Sequence, residues 1–422
     1  MINKLWNKTR IMKFSNKIKF ANVFYDRSFQ KYWLARFLSS LCLGTLSVCI
    51  AWQIYDISRN PLHLGLIGLT QFVPLILLVV VTGYFADNFN RKKIFYISLL
   101  GEGLLTFLFF VINFINYANI PILFIILIGI GIILAFCSPA AAALLPNIII
   151  KKELPDAEAL SAVAWQSVTI FGTICGGLLY SYSIYAGYIF ASTGLFIGAI
   201  LVLLIPYKFI SKSKKSISFE NLTGGFTYVW NKKILLGVIS LDLFAVLMAG
   251  AVALMPVYAR DILETGPLTL GLLRSSPGIG AIIVAAFLSF YSIKKAGKIM
   301  LYAVAFFGLS TLLFGLSSNV VLSIILLCFV GGFDMLSVYI RDIIIQLGTE
   351  DKMRGRVNAV NMMFVGASNE LGDFRAGIMS SGIGAVPAVV FGGIGAMGIA
   401  GIWAVIFPEL LKIKKLGKKE LG

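Results

Sequence analysis

Ten ionisable side chains fall inside stretches that are otherwise apolar: Arg36, Glu102, Asp242, Arg274, Asp334, Arg341, Asp342, Glu370, Asp373 and Arg375. A charge among apolar neighbours is costly unless it meets a partner, a proton or water, so such residues mark ion pathways, cavities or buried pairs. If the runs are helices, Glu102 and Asp242 lie roughly 13 Å from the nearer end of their own run, too deep for a side chain to reach out to water. Burial penalises the charged form of a carboxyl group, and neither residue has a base beside it in sequence. Both are therefore proton-coupling candidates, with Asp334 as a third. Arg274 lies about 9 Å and Glu370 about 15 Å from the opposite-side ends of their runs, near enough in depth that an ion pair between them is expected. Arg36, Arg341 and Asp342 are close enough to an end to snorkel. Gly366, Asn369, Glu370, Asp373 and Gly377 recur at helical spacing, a small and polar stripe that has to face a neighbour or a cavity rather than lipid. The ion-pair and cavity set is thus Arg274, Glu370, Asp373, Asn369 and Arg36. The bland reading of each is a buried pair that fixes helix packing.

The elements that position these charges are set by composition. The chain of 422 residues is 59% hydrophobic and only 13% charged, against roughly 25% charge in a soluble domain. Apolar runs of about twenty residues cross a bilayer core as helices, because backbone polar groups in lipid have to be satisfied within the segment. The alternation of a membrane barrel is absent. Polar breaks divide the sequence into spans at 32–55, 64–85, 94–115, 120–142, 157–181, 185–206, 234–258, 268–292, 299–317, 320–346, 357–380 and 384–407. The fold class is an all-α polytopic membrane protein of twelve transmembrane helices in two pseudo-symmetric six-helix bundles. Residues 61–66 read Pro-Leu-His-Leu-Gly-Leu and residues 267–272 read Pro-Leu-Thr-Leu-Gly-Leu, each opening the second span of its half. Parallel six-helix repeats with a site between them are a recurring transporter plan. The organisation expected is a basic N-terminal tail (1–31), an N-terminal bundle (32–206), a linker (207–233), a C-terminal bundle (234–407) and a basic C-terminal tail (408–422).

The net charge of +17 raises nucleic acid as a partner, but its placement explains it otherwise. Thirty of the lysines and arginines fall on the side of the termini and two, Arg59 and Arg260, on the other. By the positive-inside rule both termini are expected to be cytoplasmic. The basic N-terminal segment reads as a retained tail rather than a signal peptide. The five cysteines show no paired spacing and His63 is the sole histidine, so neither a disulfide framework nor a metal site is expected. Gly393-Ile394-Gly395-Ala396-Met397-Gly398 matches a dinucleotide fingerprint but lies within an apolar span rather than after a strand. No Walker loop occurs, no clustered catalytic groups occur at either interface, and no cofactor or enzymatic activity is expected.

The most specific motif joins spans two and three: Gly83-Tyr84-Phe85-Ala86-Asp87-Asn88-Phe89-Asn90-Arg91-Lys92-Lys93. It resembles the Gly-x-x-Ala-Asp-Arg-x-Gly-Arg-Arg loop of the major facilitator superfamily, with Gly83, Asp87, Arg91 and Lys92 as the cytoplasmic gate positions. Asn88 stands where the family has Arg, which weakens its charge relay. Asn90 stands for the second Gly, a mild change because Asn tolerates left-handed backbone. The second-half loop, Lys294-Lys295-Ala296-Gly297-Lys298, lacks the Asp. Further stretches resemble the exporter branch that contains enterobactin exporters and macrolide efflux pumps. These are Ser138-Pro139 with Leu144-Leu145-Pro146, Leu241-Asp242-Leu243, Gly271-Leu272-Leu273-Arg274, Asp334 with Arg341, Arg354-Gly355-Arg356-Val357, residues 366–372 and Phe407-Pro408-Glu409-Leu410. The exporters' Gly-Pro-x-x-Gly-Gly signature reads Gly172-Thr173-Ile174-Cys175-Gly176-Gly177 here, without its proline.

The resemblance implies a monomeric secondary transporter working by alternating access, with spans one, four, seven and ten lining the cavity. Its partners would be a small-molecule substrate, protons and the bilayer. Proton-coupled export of a siderophore or similar amphiphile is the first expectation, and multidrug or macrolide efflux the alternative. A solute importer and a non-transporting scaffold stand behind both. Trp52, Trp165, Phe244 and Tyr339 are aromatic residues able to line an amphiphile cavity.

Overall fold

The structure is a computed structural model, which describes residues 23–150, 152–207, 219–291 and 293–413, with the side chains of 80, 86, 87 and 219–223 left aside. Helices follow the apolar runs closely, and several begin at a polar residue whose side chain accepts from the free amides of the first turn. α1 (Arg27–Ser58) is capped by Asp26, which accepts from the amides of Ser28 and Phe29. α2 (Pro61–Asn88) is capped by Asn60. α3 (Arg91–Phe114) is capped by Asn90, which accepts from the Lys93 amide with φ −66°. Asn90 is therefore an extended cap, and the left-handed tolerance expected of it is not used. α4 (Ile120–Ile148) starts at Asn119, and α5 (Leu154–Tyr182) and α6 (Ile184–Leu203) complete the first half.

The stretch expected as a linker contains a helix, α7 (Phe219–Asn231). α8 (Lys233–Ala249) then breaks at Gly250 and continues through a 3-10 turn (Val252–Leu254), a short α turn and a π turn (Tyr258–Ile262). α9 (Pro267–Leu288), α10 (Ala296–Leu316), α11 (Val320–Gly348), α12 (Arg354–Ile383) and α13 (Ala385–Ile406) follow, and α14 (Pro408–Lys412) is a final turn. Among the described residues eleven segments are long and apolar enough to cross a bilayer. The remaining span, α12, has the length, at 30 residues, but carries the Asn369, Glu370, Asp373 and Arg375 stripe. It keeps that polarity because it packs between α8 and α2 rather than against lipid alone.

The two halves repeat one packing scheme. In the first, α1 packs on α5 and α6, α2 on α4, and α3 on α4 and α6; in the second, α8 packs on α12 and α13, α9 on α11, and α10 on α11 and α13. The halves meet through two equivalent crossings, α2 with α12 and α5 with α9. The repeated Pro-Leu-x-Leu-Gly motif makes both possible. A Cβ on Gly65 would lie 2.9 Å from the Asp373 carbonyl oxygen and 3.2 Å from Gly377 Cα; a Cβ on Gly271 would lie 2.6 Å from the Thr173 carbonyl oxygen and 3.2 Å from Gly177 Cα. Bare backbones approach here as in other close membrane helix pairs. Both crossings lie toward the end opposite the start of α1, called the distal end below; the other is the basal end.

Candidate functional site

Between the halves is a cavity of about 260 Å³ lined by Ser47 of α1, Gly68 and Gln71 of α2, Arg274 of α9, and Glu370 and Asp373 of α12, with Ala253 from the broken segment after α8. Arg274 crosses the interface: its Nη1 donates to the Ser47 carbonyl oxygen at 2.9 Å, and its Nε has no partner. Glu370 crosses the other way. Its carboxylate occupies the space above Gly68, where a Cβ would lie 1.6 Å from Oε2. The expected Arg274–Glu370 ion pair is not formed: Arg274 donates to the Ser47 backbone, and the Glu370 carboxylate lies against Gly68. Asp373 accepts from the Ala253 amide at 3.2 Å, so the carboxylate satisfies an amide that the break in α8 sets free. Arg375 donates from Nε to the Leu247 carbonyl oxygen at 3.0 Å, bracing the same break from behind.

A second cavity of about 390 Å³ adjoins this one inside the C-terminal half and shares Val252, Glu370 and Asp373 with it. Asp334, Asn369, Thr311, Phe307 and Phe314 complete its chemistry, and no Lys, Arg or His side chain is among its lining residues. The polar stripe of span eleven therefore faces cavities, as its spacing requires. Of the four aromatics proposed for the cavity, none lines either of these two. Trp165 lines a separate cavity of about 130 Å³ with Arg36 and Glu158; Phe244 packs on Trp403 at 5.2 Å; Trp52 lies under Arg260 at 5.5 Å; and Tyr339 packs on the core around α8.

The deep carboxylates differ in their surroundings. Asp242 is ion-paired with Arg341, whose Nε also lies 3.7 Å from Asp342. Arg341 is only 4% exposed, so it does not snorkel, and Asp242 is not a lone acid. No sequence-local signal linked them, because they lie on different helices about a hundred residues apart. Glu102 is 1% exposed, and both of its carboxylate oxygens lack a hydrogen-bond partner. Thr106, one turn along, is equally buried, with a partnerless hydroxyl.

At the distal end a cluster that sequence reasoning did not assemble ties the halves together. Asp56 pairs with Arg260; Arg59 lies 3.8 Å from Asp56 and 3.7 Å from Asp261; and the Tyr55 hydroxyl donates to Asp261. The available signal was that Arg59 and Arg260 are the two cations on that side of the sequence. At the basal end, the gate motif places Arg91 against the Ala143 carbonyl oxygen at 3.2 Å, and Asn88 donates to the Tyr84 carbonyl oxygen at 3.0 Å. Gly83 lies near the end of α2 and Lys92 in the first turn of α3. The Asp87 side chain falls outside the described residues. His63 packs on Phe124 at 6.1 Å, and no group able to hold a metal ion occurs among the described residues.

Comparison with known proteins fits this architecture. The chain is 25% identical over 406 residues to the enterobactin exporter EntS of Escherichia coli O1:K1 / APEC, covering 92% of this chain and 94% of that one. The EntS of Shigella boydii serotype 18 matches equally, at 25% over 405 residues. Among solved structures, a bacterial homologue of the iron transporter ferroportin, inward-facing, aligns with a TM-score of 0.69 at 14% identity over 92% of this chain and 99% of that one. A bacterial homologue of the lysosomal transporter Spinster, also inward-facing, gives 0.68 at 13% identity over 93% and 97%. The family described as transmembrane secretion effector matches residues 20–418. The chain belongs to that family of the major facilitator superfamily and is a multi-pass membrane transporter.

Proposed function

We propose that this protein is a proton-coupled secondary transporter that exports an amphiphilic small molecule across a bacterial inner membrane by alternating access. Both termini would lie in the cytoplasm, and the working unit would be the monomer. The observation that carries the reading is the charged cavity between the halves. Arg274 and Glu370 each cross the interface to reach the other bundle, beneath a distal end that a charge cluster holds together. A site whose walls come from both halves is remade whenever the halves rock, which is what a carrier requires. Glu102 is the favoured coupling residue, since Asp242 is already ion-paired with Arg341 and Glu102 is in no ion pair. A siderophore or similar metabolite is the first cargo class, from the likeness to enterobactin exporters.

A second cargo class has an observation of its own. The larger cavity is lined by Asp334, Glu370 and Asp373 together with Phe307 and Phe314, and by no basic side chain. Carboxylates and aromatic faces suit a protonated amine on an apolar frame, the chemistry of many macrolides and other drugs. One experiment separates the classes. Everted vesicles containing the protein are given a pH gradient, acid inside, and uptake of a catecholate siderophore is compared with that of a lipophilic amine. Gradient-dependent uptake of the siderophore supports the first class and uptake of the amine the second; uptake of neither would refute export of an amphiphile.

A further inference from the structure

The second-half loop Lys294-Lys295-Ala296-Gly297-Lys298 takes no part in the transport site, and its chemistry is unlike that of its first-half counterpart. Ala296 is fully buried, and a Cβ on Gly297 would lie 1.6 Å from the Leu410 carbonyl oxygen, so these two residues dock the loop against α14. The Gly297 amide donates to the Ile413 carbonyl oxygen at 3.2 Å. The three lysines are left exposed, and no carboxylate lies within ion-pairing distance of them among the described residues. Lys294 stands at the basal mouth of an apolar groove of about 610 Å³ between α9, α10 and α11 as its one charged lining residue among the described residues, with Lys295 and Lys298 next to it along the chain. Ile283 and Phe287 form one wall, and Ile325, Phe329, Phe333 and Leu336 the other. From Ile325 to Leu336 the α11 wall runs about 16 Å along the helix axis. That is close to the hydrocarbon depth of one leaflet, about 15 Å.

We propose that this groove is a binding site for an anionic phospholipid of the leaflet at the basal end. One acyl chain lies along α11, and the phosphate sits among Lys294, Lys295 and Lys298. Apolar walls alone would accept any lipid; the unpaired lysines at one end select the headgroup charge, as basic pockets between membrane helices do. The assignment of that leaflet to the cytoplasmic side rests on the orientation proposed above. The binding itself does not, and a reporter fused to either terminus tests the orientation separately.

Purified full-length protein in detergent is titrated with phosphatidylglycerol or phosphatidylcholine and examined by native mass spectrometry. Wild-type protein should retain one phosphatidylglycerol with a preference of about tenfold over phosphatidylcholine, and the preference should fall with added salt. The triple variant K294Q/K295Q/K298Q should lose the preference while keeping its melting temperature. Should that variant not fold, K294Q alone should reduce the preference. Ile283→Trp, which fills the groove from a lipid-facing position, should reduce retention of both lipids. Equal retention of the two lipids by wild type, or an undiminished preference in folded lysine variants, would overturn the proposal. So would displacement of the lipid by glycerol 3-phosphate, which lacks acyl chains, or by a cationic amphiphile that lacks the phosphate.

Discussion

Asp242 and Glu102 lie at similar depths in their spans, yet substituting them should give opposite signatures. Asp242 and Arg341 are a buried ion pair between α8 and α11. Removing one member leaves the other charge uncompensated, at a cost of about 3–5 kcal/mol. Asp242→Asn should therefore lower the thermal stability of the purified protein, and Arg341→Gln should do the same. The double variant should recover most of the loss, because a neutral pair strands no charge; a double-mutant cycle in detergent reads the coupling directly. Glu102→Gln breaks no ion pair and no hydrogen bond of ordinary geometry to its carboxylate oxygens. It should leave the melting temperature near wild type while abolishing transport driven by a pH gradient. Substrate-driven exchange without a gradient should survive, and a Glu102→Gln protein still driven by the gradient would remove Glu102 as the coupling residue. Depth was legible in the sequence at both positions. The partner was not, because pairing across helices depends on which faces meet, and only packing decides that.

At the element scale the glycine crossings govern how the halves meet. α2 meets α12 at Gly65 and Gly377, and α9 meets α5 at Gly271 and Gly177. A side chain at Gly65 or Gly271 has backbone, not a flexible side chain, in its way. Gly65→Leu and Gly271→Leu should each force the crossing apart and expose the distal face of the cavity. A cysteine placed at Ser47, on the α1 wall of that cavity, should then react faster with a membrane-impermeant thiol reagent added from the distal side. The control is Gly355→Leu, at a glycine with open space around it, which should leave the reaction rate unchanged. The repeat Pro-Leu-x-Leu-Gly-Leu was visible in the sequence, and so were twelve spans, since apolar length is nearly all that a bilayer asks of a helix. The break in α8 was not visible: Gly250 is one glycine among many, and the Asp373 carboxylate that satisfies the freed Ala253 amide comes from a helix more than a hundred residues away. The polar span α12 was legible for a different reason, because its charges recur at helical spacing and therefore belong to one face.

For the whole molecule, the state of the carrier is set by the balance between its two ends. The distal end is closed by Asp56 with Arg260, by Arg59 with Asp261 and by Tyr55 with Asp261, which join the end of α1 to the π turn after α8, while Arg59 also lies near Asp56 within that same end. These side chains are partly exposed, so each pair is worth little on its own, about 0–1 kcal/mol. A carrier whose two states differ by a few kcal/mol is nevertheless shifted substantially by losing several such contacts together. Arg260→Asp places three carboxylates around Arg59 and also removes the cation over Trp52. It should move the population toward a state open at the distal end. Spin labels on the distal turns of the two halves should report a longer mean separation, with the basal ends closing in step. The swapped double variant, Asp56→Arg with Arg260→Asp, restores one attractive pair across the same interface and should return the distances toward wild type. A single variant that fails to open the distal end, or a swap that fails to restore it, would mean that the glycine crossings alone hold the halves together there. Raising the ionic strength should open the wild-type distal end only slightly, since contacts at 2.9–3.2 Å between backbone and side chain deeper in the interface, such as Arg274 with Ser47 and Asp373 with Ala253, are shielded from the salt that screens the surface pairs.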